Sequence, residues 1–452
     1  MYRDGDIIAA IITPPGEGGL GAIRCAGPGA RKLCAPFLSW ATIPEPFHLI
    51  HTTFSIPSAS APLDEVMAVW MPSGKSYTGE EQVEIFTHGG RVVLQQVLRA
   101  LFDAGARPAE PGEFTRRAFL SGRIDLTRAE AVAELISAKS EFAYRAARDN
   151  LFGETASVVT HLRERLIELA AELEANVDFP EEEIQPEDHE RLVGSCARLA
   201  QEIASLAASY RRGVVVRDGF KVALAGRPNA GKSSLFNALL GRHRALVSET
   251  PGTTRDYLSE WITLGGFAVE LIDTAGLRDS SERLERAGQE LARALIDAAH
   301  LTLWIVDSAE PDWVVDYRAD LRSYAEREML VVVNKIDLLA SAPTPTDDRE
   351  LCVSCATGAG LGALEARLVA QIEALAPDQT DGMIVTSERH QRKLLAAHEA
   401  LERARAGLEE GLSPELIAFE ISGACAALDE ITGAVYTDDL LERIFSKFCI
   451  GK

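Results

Sequence analysis

No run in this 452-residue sequence comes near the ~20 consecutive apolar residues of a membrane-spanning helix, and the uncharged stretch from Pro46 to Leu63 is broken by Pro, Ser and His. Cationic residues are also in short supply: 46 Lys and Arg stand against 68 Asp and Glu, a formal charge of −22. A chain of that sign does not grip a polyanion through its bulk field, because that grip comes from neutralising phosphates, and it is equally ill suited to anionic lipid. Cysteine is sparse and irregular: seven residues without a spacing pattern predict free thiols in a reduced, cytoplasmic setting. The one close pair, Cys352 and Cys355, lies on ELCVSCATGAG, an apolar strand entering a loop, and reads as structural rather than as a redox couple. The nine histidines show no metal-site spacing beyond His48 and His51, also read as structural. The opening MYRDGDIIAAIITPPG places Asp4 and Asp6 before a short apolar run ended by Pro14 and Pro15, a strand pattern rather than a secretory leader.

What is present is ordinary globular material, with 46% hydrophobic and 25% charged residues. The length is about three times a ~150-residue domain and predicts two or three of them. Residues 1–120 alternate short strand-like runs (DIIAAIIT, EVMAVWM, QVEIFTH) with glycine and proline turns and one helix, RVVLQQVLRALFDAG, and are nearly neutral. From Thr127, TRAE reads as a capping box, and apolar residues then recur at helical spacing. Near residue 220 the texture becomes strand, glycine loop, helix and strand until about 376, the alternation of a doubly wound parallel sheet. After Pro377 the chain is helical again, with Pro414 at a first helical position. The predicted organisation is multidomain: an α+β domain over 1–120, an all-α domain split between 121–220 and 377–452, and an inserted α/β domain over 221–376. Most of the acidity falls on the helical and inserted parts and reads as solvated helix faces.

The segment KVALAGRPNAGKSSLFNALLG carries the chemistry. An apolar strand runs into Gly226-Arg-Pro-Asn-Ala-Gly231-Lys232-Ser233 and then into an apolar helix, matching GxxxxGK[ST]. Glycines let such a loop wrap a phosphate, Lys232 brings a cation toward the β- and γ-phosphates, and the Ser233 hydroxyl suits Mg2+. Farther on, Asn334-Lys335-Ile336-Asp337 ends another apolar strand, MLVVVN, and Ser354-Cys355-Ala356 ends the next. A carboxylate at Asp337 accepts both the ring N–H and the exocyclic amine of guanine. Adenine offers no such pair and forfeits about 1–3 kcal/mol or more, so GTP is favoured over ATP. Between these motifs, Thr253 and Thr254 of VSETPGTTRD are candidates for a loop that ligates Mg2+ and senses the γ-phosphate. In LIDTAGLRD, Asp273 holds Mg2+ through water and Gly276 offers a backbone N–H. Leu277 occupies the position where many GTPases place a water-orienting Gln, so another group must take that role. Glu282 and Glu285 are the nearby carboxylates. The candidate nucleotide contacts are Asn229, Ala230, Gly231, Lys232, Ser233 and Ser234; Ser248, Glu249, Thr250, Pro251, Gly252, Thr253 and Thr254; Asp273, Thr274, Ala275 and Gly276; Asn334, Lys335 and Asp337; and Ser354, Cys355 and Ala356, with Mg2+ assigned to Ser233 and Thr254.

Taken together, GRPNAGKSSLFNALLG, PGTTRD, DTAGLRDS, TPPGEGGLGAIR, TGEEQVEIFTHGG, RPAEPGEFTRRAFLSGRIDLTRAEAV, DFPEEEI and the terminal FCIGK resemble the MnmE (TrmE) family of tRNA-modification GTPases over essentially the whole chain. The resemblance implies a tetrahydrofolate-binding-like N-terminal domain that also holds a homodimer together, binding a 5-formyl or 5,10-methylene derivative. It also implies a flavoprotein partner, MnmG, which carries FAD and forms a heterotetramer with the dimer. The complex adds a carboxymethylaminomethyl-type group to carbon 5 of the wobble uridine of certain tRNAs. By motif position, Arg24, Glu84 and Lys452 correspond to folate-contacting residues, and Arg123 stands where some relatives have Lys. The resemblance further implies that K+ takes the place of an arginine finger, with Asn229, Ser248, Thr250 and Thr253 around it. Glu285 corresponds to the water-orienting carboxylate and Cys449 to a near-terminal cysteine with a role in modification. The alternative reading is a regulatory GTP-binding switch in ribosome assembly that modifies nothing. Such proteins often carry a basic RNA-binding block or a second G domain, and this sequence has neither.

Overall fold

In a computed structural model, the structure describes residues 5–40, 44–178, 186–243, 258–274, 290, 293–311, 313–322, 328–341, 343–345, 347–375 and 383–452. The chain divides into two compact units, one of Met1–Ala133, Asp149–Ser195 and Arg403–Lys452, the other of Glu134–Arg148 and Cys196–Glu402.

The first unit is built on a six-stranded sheet of β1 (Ile8–Ile11), β2 (Gly18–Ala26), β3 (Ile50–Phe54), β4 (Asp64–Met71), β5 (Gln82–Gly89) and β6 (Arg107–Pro108), in the order β3-β4-β5-β2-β1-β6. All its pairs are antiparallel except β1 with β6. Strict alternation along β5 turns Val83 and Ile85 into the core and leaves Glu84 on the other face. The core face is covered by α1 (Ala30–Cys34) and α2 (Arg91–Asp103), the latter burying Leu94, Val97, Ala100 and Leu101 at helical spacing. On the opposite face Ile8, Ala10 and Ala26 pack against Phe114 of α3 (Glu113–Leu120).

Beneath α3 lies a buried ion network. Arg117, 2% exposed, donates from Nη1 to the Asp6 carbonyl at 3.0 Å and to Glu80 at 2.9 Å, and from Nη2 to Asp6 Oδ1 at 2.6 Å and Glu113 at 3.0 Å. Arg107 pairs with the same Glu113 at 2.7 Å. The network ties the start of β1, the loop before β5 and α3 into one piece.

Helix α4 (Leu126–Ser137) corrects one sequence expectation. Asp125, not Thr127, caps it: the Asp125 carboxylate accepts the Arg128 N–H at 2.9 Å and the Thr127 hydroxyl at 2.5 Å. A carboxylate two residues earlier is the better acceptor for a helix N-terminus, and Thr127 is drawn inward and buried. Helices α5 (Glu141–Leu151), α6 (Glu154–Asp178) and α7 (Pro186–Ala208) follow.

The second unit carries α8 (Tyr210–Asp218) and a sheet of β7 (Phe220–Gly226), β8 (Leu258–Leu264), β9 (Phe267–Asp273), β10 (Leu301–Asp307), β11 (Met329–Asn334) and β12 (Glu350–Cys352), in the order β12-β11-β10-β7-β9-β8. It is parallel except for the β8–β9 hairpin, whose turn residues Gly265 and Gly266 have φ of 56° and 87°. Helices α9 (Lys232–Arg242), α10 (Trp313–Leu321) and α11 (Leu361–Leu375) complete the α/β part. The strands are nearly continuous apolar runs because both faces are covered. Cys352 packs on one face and Cys355 on the other, so the CxxC spacing does not bring the two sulfurs together. The corner between α4 and α5 docks on the β8–β9 hairpin: Phe142 lies 4.5 Å from Phe267, and Lys139 Nζ sits 3.6 Å above the Trp261 ring.

The remaining helices are α12 (Glu388–Glu409), α13 (Pro414–Thr432) and α14 (Asp438–Phe445). Pro414 opens α13 as its position predicts. Helix α13 packs along α6, joined by Arg163 to Asp429 at 2.5 Å. Among the described residues no helix is long and apolar enough to cross a membrane.

Candidate functional site

Strand β7 delivers the chain to the carboxyl edge of a parallel sheet, where open α/β folds bind their ligands. Two glycines of the loop that follows admit no side chain. A Cβ on Gly226 would meet the Ile305 carbonyl at 2.2 Å, and one on Gly231 would meet Asn334 Nδ2 at 2.2 Å, with φ of 139° and 102°. Among the described residues only three non-glycines have positive φ, and two of them, Asn229 (63°) and Lys335 (66°), lie here. Backbone strain is thus concentrated on this edge of the sheet, as expected of a working site.

Lys232 is buried at the first position of α9, and its ammonium donates to the Gly226 and Arg227 carbonyls at 2.9 and 2.8 Å. The adjacent Ser233 hydroxyl donates to Asp273 Oδ2 at 2.9 Å, so the loop and the end of β9 present a hydroxyl and a buried carboxylate side by side. Hard oxygen donors in this arrangement fit Mg2+. Thr274 is held by its hydroxyl on the Leu224 carbonyl at 2.7 Å, while Ser234 faces solvent.

The base-reading elements converge from β11 and β12. Asn334, 2% exposed, donates from Nδ2 to the Ala230 carbonyl at 3.0 Å and accepts the Cys355 N–H at 3.3 Å, clamping the phosphate loop to the loop after β12. The Asp337 carboxylate accepts the hydroxyl of fully buried Ser354 at 2.5 Å. Ala356 is exposed beside it. Burial, with the Asp337 charge adding to it, pushes the Cys355 thiol up to about 11, which keeps it a neutral thiol near the carboxylate. Ser248, Glu249, Thr250, Pro251, Gly252, Thr253, Thr254, Ala275, Gly276, Leu277, Glu282 and Glu285 lie outside the described residues. Asp307, which pairs with Lys335, was missed by sequence reasoning. Its only signal there is its place at the end of β10, in register with Asn334.

A second cluster lies in the first unit. Cross-strand register sets Arg24 of β2 opposite Glu84 of β5, with Arg24 Nε 2.9 Å from Glu84 Oε1. The guanidinium lies 5.0 Å from the Tyr77 ring and 5.3 Å from the Phe114 ring. Gln82 donates to the same Glu84 oxygen at 2.9 Å, while its own Oε1 is buried without a hydrogen-bond partner among the described residues. The Lys452 carbonyl accepts the Phe114 N–H at 3.0 Å, so the C-terminal tail reaches this cluster through its backbone. Gly451 allows it: at φ 98°, a Cβ would strike the Ile11 carbonyl at 2.4 Å. Arg123 sits on the neighbouring loop and donates to the Gly74 carbonyl at 3.3 Å, rather than joining Arg24. Cys449 is exposed, and its carbonyl accepts the Gly112 N–H at 3.3 Å.

The phosphate loop, the hydroxyl–carboxylate pair and the Asn-Lys-x-Asp turn on a doubly wound sheet place the G domain of a P-loop GTPase within the second unit. Comparison with known proteins specifies it further. Residues 126–449 match the model of the MnmE helical domain, and residues 7–123 match that of the GTP-binding protein TrmE N-terminus. The tRNA modification GTPase MnmE of Moorella thermoacetica is 42% identical over 467 residues, covering 99% of each chain. That of Heliobacterium modesticaldum is 39% identical, covering 99% of this chain and all of the relative, and that of Aquifex aeolicus 39%, covering 98% and 99%. The chain belongs to the MnmE family of tRNA modification GTPases.

Proposed function

We propose that GTP hydrolysis by this member of the family is activated by K+, and that its cycle drives modification of carbon 5 of the wobble uridine of certain tRNAs together with a flavoprotein partner of the MnmG type. The observation that carries the potassium reading is Asn229. It stands in the phosphate loop in a left-handed conformation that Asn tolerates better than most residues, three positions before Lys232. An amide carbonyl there, with Ser248, Thr250 and Thr253 of the VSETPGTTRD motif, would hold a monovalent cation beside the phosphates. Such an ion supplies positive charge where negative charge develops, the part an arginine plays elsewhere. Glu285 takes over the positioning of water that Leu277 cannot perform.

The first unit has the chemistry for a tetrahydrofolate derivative: a guanidinium over two aromatic rings, a carboxylate, and a buried side-chain amide carbonyl with no partner among the described residues. Glu84 and Gln82 accept N–H groups of a pterin-like ring, and Arg24 and Lys452 suit carboxylates. This reading keeps the three-part division into 1–120, 121–220 with 377–452, and 221–376, with a homodimer joined through the first part. Because the chain is strongly acidic, the partner supplies most of the surface that neutralises tRNA phosphates.

At equal ionic strength, hydrolysis in KCl is expected to run at least about tenfold faster than in NaCl, and Asn229→Ala is expected to erase the difference. Equal slow rates in both salts overturn the potassium mechanism. Mass spectrometry of the wobble nucleoside from a deletion strain separates modification from a ribosome-assembly switch: an unchanged nucleoside profile would favour the switch.

A further inference from the structure

We propose that Asp307 is a positioning residue for nucleotide binding, acting by holding Lys335 in place before the nucleotide arrives. Asp307 ends β10 and Asn334 ends β11, and the two are in register on adjacent parallel strands. From there Asp307 Oδ2 lies 2.5 Å from Lys335 Nζ, while its Oδ1 accepts the Ala309 N–H at 3.0 Å. The next residue, Ser308, donates its N–H to the Asn334 carbonyl at 3.0 Å. Carboxylate and ammonium are therefore both fixed to the same pair of strand ends, and the Asp307 side chain is only 14% exposed.

Lys335 is the strained member of the Asn-Lys-x-Asp turn, a long side chain on a left-handed backbone, between the Asn that clamps the phosphate loop and the Asp that faces Ser354. A lysine anchored only by its backbone samples many rotamers, and a ligand packing beside it must freeze them. Anchored at both ends, its four-carbon stem becomes a preformed wall, and that ordering cost is removed from binding. Asp307 also lines, with Arg227, Pro228, Ala230 and Trp304, a cavity of about 260 Å³. It thus stands where the base-reading turn and the phosphate loop meet.

The anchor serves GDP and GTP alike, since neither the base nor the turn changes in the reaction. Asp307→Asn keeps the shape and the Ala309 contact but loses the charge. It is expected to raise the dissociation constants for GDP and GTP in parallel, by about fivefold to thirtyfold, with kcat at saturating GTP within about twofold of the parent. Lys335→Met is expected to weaken both nucleotides, and the double variant to be no weaker than Lys335→Met alone, because the two side chains act as one unit. Asp307→Glu is expected to restore part of the affinity. Thermal unfolding of each variant, followed beside nucleotide titration with the full chain, separates anchoring from folding. An unchanged dissociation constant, additive effects in the cycle, or a loss confined to kcat each overturns the proposal. The parent protein's own tight GTP binding, measured in the same series, tests the nucleotide site independently.

Discussion

Asp337→Asn is expected to exchange the base that the G domain prefers. GTP binding falls by roughly a thousandfold and xanthosine triphosphate becomes the better ligand. The reason lies in donor and acceptor count. The Asp337 carboxylate is oriented by the Ser354 hydroxyl at 2.5 Å and, being acceptor-only, has lone pairs left for two more N–H groups. Guanine presents two donors side by side on one edge, the ring N–H and the exocyclic amine. An Asn keeps the size and one acceptor but turns an N–H2 toward that amine, so one guanine donor faces a donor and is left unpaired. Xanthine carries a carbonyl in place of the amine and meets the new N–H2 as an acceptor. The Ser354 contact survives on the remaining oxygen, so the fold is not at stake. Equilibrium titration of the parent and the variant with both nucleotides reads the exchange directly, and an unaltered preference for GTP would remove Asp337 from base recognition.

The second large effect is expected in the first unit, where Arg117→Met should destabilise the fold by about 3–5 kcal/mol. Arg117 satisfies carboxylates of Asp6, Glu80 and Glu113 at once, and Glu113 is itself 2% exposed. Methionine fills the volume but leaves those charges without their shared cation, which is the costly way to break a buried network. The network also sets the pH response. Burial by itself would raise the Glu113 carboxyl, but hydrogen bonds from Arg107, from the Glu110 N–H and from Arg117 outweigh it and hold the group below its ordinary 4.5. Asp6 is likewise held below its ordinary 3.8, its hydrogen bonds from Arg107 and Arg117 overcoming the opposing effect of burial. A carboxyl lowered in the folded state stabilises above its unfolded value and loses that contribution as the pH falls through its folded value. Acid unfolding of the parent's N-terminal part is therefore expected below about pH 4, and in Arg117→Met the transition moves toward neutral pH because Glu113 loses a partner. Acid titration followed by circular dichroism and tryptophan fluorescence checks both. An unshifted midpoint in the variant would mean that Arg117 is dispensable to the network.

Both predictions rest on geometry of different origin. The phosphate loop and the guanine turn were legible as sequence because their conformations are local: glycines at Gly226 and Gly231, a strand before and a helix after, and an Asn-Lys-x-Asp run closing another strand. The capping of α4 was also local, yet the TRAE pattern pointed to Thr127, and only the fold shows Thr127 buried and the Asp125 carboxylate capping the helix instead. The ion network was not legible at all, since Asp6, Glu80, Glu113 and Arg117 come from three separate segments.

By itself, then, the sequence determined the nucleotide, the kind of sheet that carries it and the family to which the chain belongs, because each of these is written in short runs whose backbone geometry follows from residue type. Tertiary structure alone decided the pairings of residues far apart in the chain. It placed Arg24 against Glu84 across two strands, left the Gln82 side-chain Oε1 buried and unpartnered among the described residues, tied Lys335 to Asp307 and set Cys352 and Cys355 on opposite faces of a sheet. Strand order and register fix such contacts, and these are settled only when whole faces are buried together.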